Sequence, residues 1–108
     1  MTDAEVSELV GCPAGVVGFL RSLGWEVYGE PGSHVAMYVR DGPVALIDPF
    51  VVHPTRRDGK FYKRVFWNFV EVMRHLGVRR IVALSSTHAA LWERLGGQRQ
   101  GNYLSMRL

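Results

Sequence analysis

The residues best suited to binding an anion lie between Arg56 and Arg64. This nine-residue segment carries a single acid, Asp58, and five cations, which are Arg56, Arg57, Lys60, Lys63 and Arg64. Cations at the start of a helix oppose the helix dipole, and a bound anion would relieve that repulsion. Three interpretations follow: a phosphate-binding loop, a contact with nucleic acid or an acidic partner, and a solvated helix start.

Asp48 is the candidate general base. It lies in the apolar run Pro43–Val52 and could take a proton from an amine through a water molecule. His53 and His88 are further candidate bases, although the sequence gives neither a carboxylate partner. The serines that precede His88 suit helix capping better than nucleophilic attack, because no Gly-x-Ser-x-Gly elbow surrounds them.

The composition excludes several classes of protein. The chain has 108 residues, 47% of them hydrophobic, and a net charge of +3. This length predicts one domain, 1–108. Cys12 is the single cysteine and the histidines have no zinc-like spacing, so the sequence predicts neither a disulfide scaffold nor a zinc module. With no basic leader and no apolar stretch of about 20 residues, we expect a cytoplasmic protein without a membrane span.

The local patterns predict small helices first and strands afterwards. Thr2 or Asp3 caps a helix through Val10, and a second helix ends at Gly24. Strand-forming residues and turns then predict these segments: helix Ala14–Leu23, candidate short strand Trp25–Tyr28, strand His34–Arg40, turn Asp41–Gly42 and extended run Pro43–Val52. Within that run, Pro49 should interrupt the ladder or force a bulge.

The clearest element is an amphipathic helix over Lys60–Leu76, whose apolar residues recur at intervals of three and four. The remaining predictions are strand Val78–Leu84, a helix from about His88 to Leu95 with caps at 85–87, and half-buried strand Asn102–Leu108. The order is helix, helix, strand, strand, helix, strand, helix, strand, with Trp25–Tyr28 as a candidate further strand. This order predicts a small α/β or α+β layered fold with helices on a mixed sheet.

The half of the chain from Phe50 to Leu108 resembles the core of the GNAT N-acetyltransferases. The matching parts resemble the fourth strand, the pyrophosphate loop, the helix that this loop opens, and the fourth helix with the closing strand: Phe50–Pro54, Arg56–Tyr62, Lys63–Gly77, and Trp92–Gly96 with Tyr103–Leu108. The resemblance implies a GNAT-like mixed sheet flanked by helices and acyl-CoA-dependent N-acetylation. Family domains have more residues before the fourth strand, so the resemblance also implies a fold shortened at its N-terminus, without the first strand.

The resemblance further implies acetyl-CoA as cofactor, without a metal, held by backbone N–H groups at a helix N-terminus. The residues that it assigns to this cofactor are Val51, Val52, Arg56, Arg57, Gly59, Lys60 and Phe61. The family loop reads Arg or Gln, two residues, Gly, one residue, then Gly or Ala. If Arg56 leads, Phe61 takes the last small position; if Arg57 leads, Lys60 and Tyr62 replace both small residues. Either register places an aromatic side chain where the family has a small one.

Acid catalysis departs from the family pattern as well. Many members carry a tyrosine on the fourth helix that protonates the departing thiolate, and here that position is Trp92. An indole N–H is not an acid at neutral pH, so the proton would come from Tyr103, His88 or water. The predicted catalytic pair is therefore Asp48 and Tyr103.

An active enzyme requires an opening between the strands near Val52 and Val82, whereas an inert module would fill it with Phe61 or Tyr62. Three features together resemble small acetyltransferase-like proteins of tailed phages, including internal virion proteins: a basic helix start, a Ser/Thr-x-His stretch before the fourth helix, and no catalytic tyrosine on that helix. That resemblance implies an inert structural or interaction protein with a virion or other protein partner, or a second copy of itself. Nucleic acid is a weaker candidate partner, and the virion is the alternative location.

Overall fold

The computed structural model describes residues 1–84 and 89–108, and these ranges form one six-stranded mixed sheet with helices on both faces. The strands lie in the order β1-β2-β3-β4-β6-β5. The helices are α1 (Asp3–Val10), α2 (Ala14–Ser22), α3 (Gly59–His75) and α4 (Ala89–Arg94), and the strands are β1 (Glu26–Glu30), β2 (His34–Asp41), β3 (Val44–Val52), β4 (Arg80–Leu84), β5 (Gln98–Gln100) and β6 (Tyr103–Arg107). The layered α+β fold predicted from the sequence is confirmed. Among the described helices, none combines the length and apolar composition of a transmembrane span.

The first two helices cover one face of β1–β3. Thr2 and Glu5 cap each other's backbone N–H groups at the start of α1, as a capping box does. Val6 and Val17 are fully buried against Val35 and Met37 of β2. These contacts bury the apolar stripes of α1 and α2, and they hold both helices close to β2.

The opposite face of the sheet packs against α3 and α4. Every third or fourth residue of α3 enters this larger core, which also takes side chains from β2, β3, β4 and β6. Six α3 residues are buried: Tyr62, Val65, Phe66, Phe69, Val70 and Met73. The amphipathic helix predicted for Lys60–Leu76 is confirmed within one residue at each end.

The bulge expected at Pro49 is present. Ala36 pairs with Phe50 and Tyr38 pairs with Ile47, so the two residues Asp48 and Pro49 face one residue of β2. The chain then crosses through α3 and returns as β4, parallel to β3. A parallel return of this kind needs a helix-length connection.

Some elements differ from the sequence expectations. The candidate strand at Trp25–Tyr28 is β1, which continues to Glu30. Strand β5, Gln98–Gln100, was not predicted, because its three exposed polar residues carry no alternation of apolar and polar side chains. Ser105 is a polar residue of the last strand but is almost fully buried, and the Nη1 of Arg80 donates a hydrogen bond to its Oγ at 2.6 Å. The predicted caps at 85–87 lie outside the described residues.

We expect Gly29→Ala to destabilise the protein strongly. Gly29 has φ +154°, and a Cβ there would lie 2.1 Å from the carbonyl oxygen of His34 on the neighbouring strand. Relief of this clash requires movement of the β1–β2 pair, at a cost of about 2 kcal/mol or more in the free energy of unfolding. Urea unfolding measures this cost.

Gly15→Ala is the matched control, because a Cβ at Gly15 meets no heavy atom within 4 Å and the residue lies in α2. This substitution should leave stability unchanged or raise it by up to about 1 kcal/mol. Equal effects of the two substitutions would contradict the close approach of β1 and β2.

Candidate functional site

The candidate site begins where β3 and β4 stop pairing. Their parallel register runs from Val44 opposite Arg80 to Ile47 opposite Ala83, while β3 continues along β2 as far as Val52. In the described residues, the edge of β3 beyond Ile47 that faces away from β2 has no neighbouring strand. The expected opening next to Val52 is therefore present. The opening begins beyond Ala83, one residue after Val82, which still pairs with Leu46.

The register brings the two predicted catalytic residues to the same end of this opening. Asp48 directly follows Ile47, and Tyr103 pairs with Leu84, which directly follows Ala83. Asp48 and Tyr103 are thus one step beyond the last β3–β4 pair, two strands apart. A separation of two strands is roughly 10 Å in a regular sheet. Both side chains are exposed to solvent, so a reacting group could reach either.

Asp48 owes its accessibility to the bulge, which interrupts the pairing of β3 with β2. Although its surface is open to solvent, surrounding protein atoms displace part of the carboxylate's hydration and raise the pKa of Asp48 above its ordinary value. A raised pKa makes the carboxylate a better proton acceptor near neutral pH, which is what a general base requires.

The segment after β3 is fixed to the ends of two strands. The N–H of His53 donates to the carbonyl of Ser33 at 2.7 Å, and the Nε of Arg57 donates to the carbonyl of Val52 at 2.9 Å. His53 also caps the short 3-10 helix Pro54–Arg56 through its contacts with Thr55. His53 therefore has a structural role here, and Arg57 holds the loop against β3.

The loop delivers the N-terminus of α3 to the end of the opening. Asp58 is the N-cap, and its Oδ1 accepts the backbone N–H of Phe61 at 2.8 Å. Within the described residues, the N–H groups of Gly59 and Lys60 have no hydrogen-bond acceptor, and the space beside Gly59 is open. Free N–H groups at a helix N-terminus, together with the helix dipole, are able to hold an anion. The sequence signal for the cap was an aspartate directly before the helix.

Comparison with known proteins shows which fold this is. No protein-family model and no curated protein sequence matches the chain. Its structure is similar to a GNAT family N-acetyltransferase from Escherichia coli in complex with CoA, with a TM-score of 0.71 at 16% identity over 97% of this chain and 73% of that chain. It is also similar to a GNAT family acetyltransferase from Elizabethkingia anophelis with acetyl-CoA bound, with a TM-score of 0.72 at 8% identity over 100% and 91% of the two chains.

The chain has the GNAT fold. It also matches N-acetylglutamate synthase from Neisseria gonorrhoeae, complexed with coenzyme A and L-arginine, with a TM-score of 0.61 at 19% identity over 70% of this chain. That match spans only 22% of the synthase chain. The predicted resemblance is thereby confirmed at the level of the fold, and the similarity carries across sequences that share few identical residues.

Phe61 and Tyr62, which stand where one register or the other of the GNAT loop pattern has a small residue, lie in the first turn of α3. Their side chains point in different directions. Phe61 is half-buried beside the loop, with the guanidinium groups of Arg56 and Arg64 at 5.5 and 5.3 Å from its ring centroid and the His34 ring at 6.0 Å. Phe61 therefore holds two cations close to the α3 N-terminus. Tyr62 instead turns into the core and contacts Phe50 of β3, with ring centroids 5.5 Å apart.

Trp92, at the position where many GNAT proteins have tyrosine, is buried and contacts Phe50 and Phe66 edge-on. Its Nε1–H donates to the Oη of Tyr62 at 2.9 Å. Burial raises the pKa of Tyr62 to about 12, so this hydroxyl also keeps its proton at neutral pH. Trp92 and Tyr62 thus stabilise the core between α3 and α4, and neither supplies a proton to the opening.

The last candidates to place are metal ligands and His88. Across the described ranges, no three His, Cys, Asp or Glu side chains come together as metal ligands would. His88, a candidate base and acid, lies outside the described residues. Tyr103 and Asp48 are the sequence-predicted catalytic residues whose positions the structure gives.

We expect Tyr62 and Trp92 to be energetically coupled. Replacing either residue with phenylalanine removes one half of a buried hydrogen bond and leaves the other half without this partner. A double-mutant cycle from urea unfolding should give a coupling free energy of about 1–2 kcal/mol. As a control, Trp92→Phe combined with Tyr38→Phe, on a buried tyrosine that packs against Phe69, should be additive. Additivity in the Tyr62 cycle would rule out the hydrogen bond.

Stability should fall between pH 10 and about 12, because unfolded Tyr62 ionises near its ordinary pKa of 10 while folded Tyr62 stays protonated. The stabilising contribution is present below pH 10 and is lost as the pH rises through the folded pKa. Two pKa units correspond to about 2–3 kcal/mol. The unfolding free energy of the wild type should therefore fall more steeply from pH 9.5 to 11.5, on the order of 1–2 kcal/mol, than that of Tyr62→Phe. Parallel pH profiles would contradict the burial of this hydroxyl.

Proposed function

We propose that this chain binds acyl-CoA and transfers the acyl group to an amine. The observation that carries the proposal is the convergence, at one end of the sheet, of the unpaired edge of β3 and the N-terminus of α3 with its two available N–H groups. A strand edge can hydrogen-bond an extended amide chain such as pantetheine, and a helix N-terminus can hold a pyrophosphate. The CoA complexes of proteins with the same fold support this assignment.

The charges around the loop support an anionic ligand. Arg56 and Arg64 flank Phe61, and in the described part of the chain neither forms an ion pair with a carboxylate. Lys60 adds a third exposed cation in the first turn of α3. A pyrophosphate would neutralise these charges and complete the hydrogen bonding of the helix start. Asp58 disfavours pyrophosphate binding, because its carboxylate already accepts a hydrogen bond from one N–H group at the same helix terminus.

Acetyl-CoA, when bound, supplies a thioester whose acyl carbon an amine can attack. Asp48 takes the proton that the amine loses, through a water molecule, as the new C–N bond forms. Tyr103 donates its hydroxyl proton to the thiolate as the C–S bond breaks, and solvent then returns the proton from Asp48 to Tyr103. The backbone of Val51 and Val52 positions the ligand along β3, so that orientation supplies much of the acceleration.

A second candidate function is an inert interaction module, with a virion protein, another protein or a second copy as partner. The Trp92–Tyr62 hydrogen bond favours this function. Trp92 stands where many GNAT proteins have a proton-donating tyrosine, and here both side chains of the hydrogen bond belong to the core. The cap formed by Asp58 favours it as well, because that carboxylate competes with a phosphate. The two functions differ in whether the chain binds CoA.

We expect acetyl-CoA and CoA to bind saturably with micromolar affinity in isothermal titration calorimetry. The double variant Arg56→Ala, Arg57→Ala should weaken binding by about tenfold or more, because it removes charge-assisted contacts to phosphate and, at Arg57, the hydrogen bond that holds the loop to Val52. The single variants Arg56→Ala and Arg57→Ala show which arginine takes the first position of the loop pattern. The control variant Arg40→Ala, Arg74→Ala removes two arginines held in exposed ion pairs away from the loop, and should bind like the wild type.

No binding at millimolar CoA by a folded wild-type chain would refute the proposed function and leave the inert module. Equal weakening in both double variants would show that net charge governs the affinity, rather than this loop.

Asp48→Asn should lower kcat by about 100-fold while leaving the KM for acetyl-CoA unchanged, because the amide cannot accept the amine proton. In the wild type, the rate should fall as the pH drops through the raised pKa of Asp48, and this limb should disappear in the variant. Thiol release across a panel of primary amines measures the rate. The exposed Asp41→Asn, at the far end of β2, is the control. If the rate of Asp48→Asn still fell at low pH as the wild-type rate does, another group would be the general base.

A further inference from the structure

The end of the sheet farthest from the loop carries a second group of arginines. Arg80 of β4 and Arg107 of β6 are direct partners across the antiparallel ladder, and Arg79 immediately precedes Arg80. Like charges at directly opposed positions repel each other. In the described residues, Arg79, Arg80 and Arg107 form no ion pair with a carboxylate, whereas Arg74 and Arg99 nearby in the sequence each have one.

The Arg80 guanidinium is held in place. Its Nη1 donates to the Oγ of Ser105 at 2.6 Å, and Ser105 is itself almost fully buried. Arg80 is half-buried, whereas Arg107 beside it is exposed. A positioned guanidinium that lies beside a second cation, and that forms no ion pair among the described residues, has the arrangement of an anion site.

Two depressions adjoin the pair, and Arg80 and Arg107 line both of them. One has a volume of about 460 Å³ and is bounded by Pro43, Val44, Arg79, Arg80, Arg107 and Leu108. The other has a volume of about 390 Å³ and includes Gly96, Gln98 and Ser105. Such volumes suit a small organic molecule. Val44 and Val52 are eight steps apart on β3, about 25 Å, so this place is separate from the loop at Arg56.

We propose that Arg80 and Arg107 bind the phosphate group of a small phosphorylated ligand at this end of the sheet. A phosphate fits better than a carboxylate, because its double charge and three oxygens can accept from two guanidinium groups at once. Ser105 sets the orientation of Arg80, and Arg107 closes the site from the solvent side. The same phosphate chemistry could come from a nucleic-acid strand, which the experiment separates from a small ligand.

The test is an NMR titration of the full chain with inorganic phosphate, run on Arg56→Ala, Arg57→Ala protein so that phosphate binding at the loop is weakened. Phosphate should shift the amides of Arg80, Ser105 and Arg107 saturably. Arg107→Gln should weaken this binding by about tenfold, since a charge-assisted hydrogen bond is lost. Arg99→Gln, on a neighbouring exposed arginine that has its own carboxylate partner, should not weaken it. Arg107→Glu should abolish binding and raise Tm, because an attractive pair replaces a repulsive one.

A single-stranded oligonucleotide forms the second arm of the experiment. If only the oligonucleotide shifts these amides saturably, and Arg107→Gln weakens that binding, the site takes the phosphates of a nucleic-acid strand and the small-ligand proposal is overturned. No saturable shift with either probe, or equal affinity in Arg107→Gln and Arg99→Gln, would also overturn the proposal. Because the amides of Arg80, Ser105 and Arg107 report this site separately from the loop, the result is independent of CoA binding.

Discussion

Backbone pairing between β3 and β4 lasts for only four residue pairs, from Val44 opposite Arg80 to Ile47 opposite Ala83. Beyond that point β3 still follows β2, but the bulge at Asp48 and Pro49 changes its register, and Pro49 has no N–H to donate to a ladder. The strand therefore continues with one edge unpaired among the described residues. An unpaired edge of this kind exposes backbone hydrogen-bonding groups, which is costly unless water or a ligand satisfies them.

The other parts of the candidate site depend on the point at which β3 and β4 stop pairing. The loop after β3 returns to the strand ends through His53 and Arg57, and it starts α3 at the same level. Phe61 then holds two guanidinium groups near the helix N-terminus. The core below is closed by Phe50, Trp92 and Tyr62, which keep α3 and α4 together without supplying acid chemistry to the opening. The end of the sheet at this loop thus combines an unpaired strand edge with basic side chains, whereas the aromatic core beneath it is tightly packed.

Much of the fold could be predicted because local signals agree with tertiary packing. The periodicity of α3, the capping box at Thr2 and the proline in β3 each specify their own element. Strand β5 could not be predicted, since its exposed polar residues owe their conformation to pairing with β6. The hydrogen bond of Ser105 is equally non-local, because its donor, Arg80, is 25 positions away in the sequence.

The candidate site divides in the same way. The basic segment and Asp48 could be recognised from residue types. The contact of Arg57 with the Val52 carbonyl and the position of Phe61 beside Arg56 could not, because they depend on how the loop folds back. That Asp48 and Tyr103 lie at one level of the sheet follows from strand register, which the sequence of either segment alone does not contain.

The central claim is that the unpaired edge of β3 and the N-terminus of α3 together form an acyl-CoA site. A crystal structure of the chain grown with CoA tests this claim most directly. The account predicts the pyrophosphate at the N–H groups of Gly59 and Lys60, and the pantetheine beside Val51 and Val52. CoA bound at another surface, or a crystal grown at saturating CoA with neither group at these positions, would contradict it.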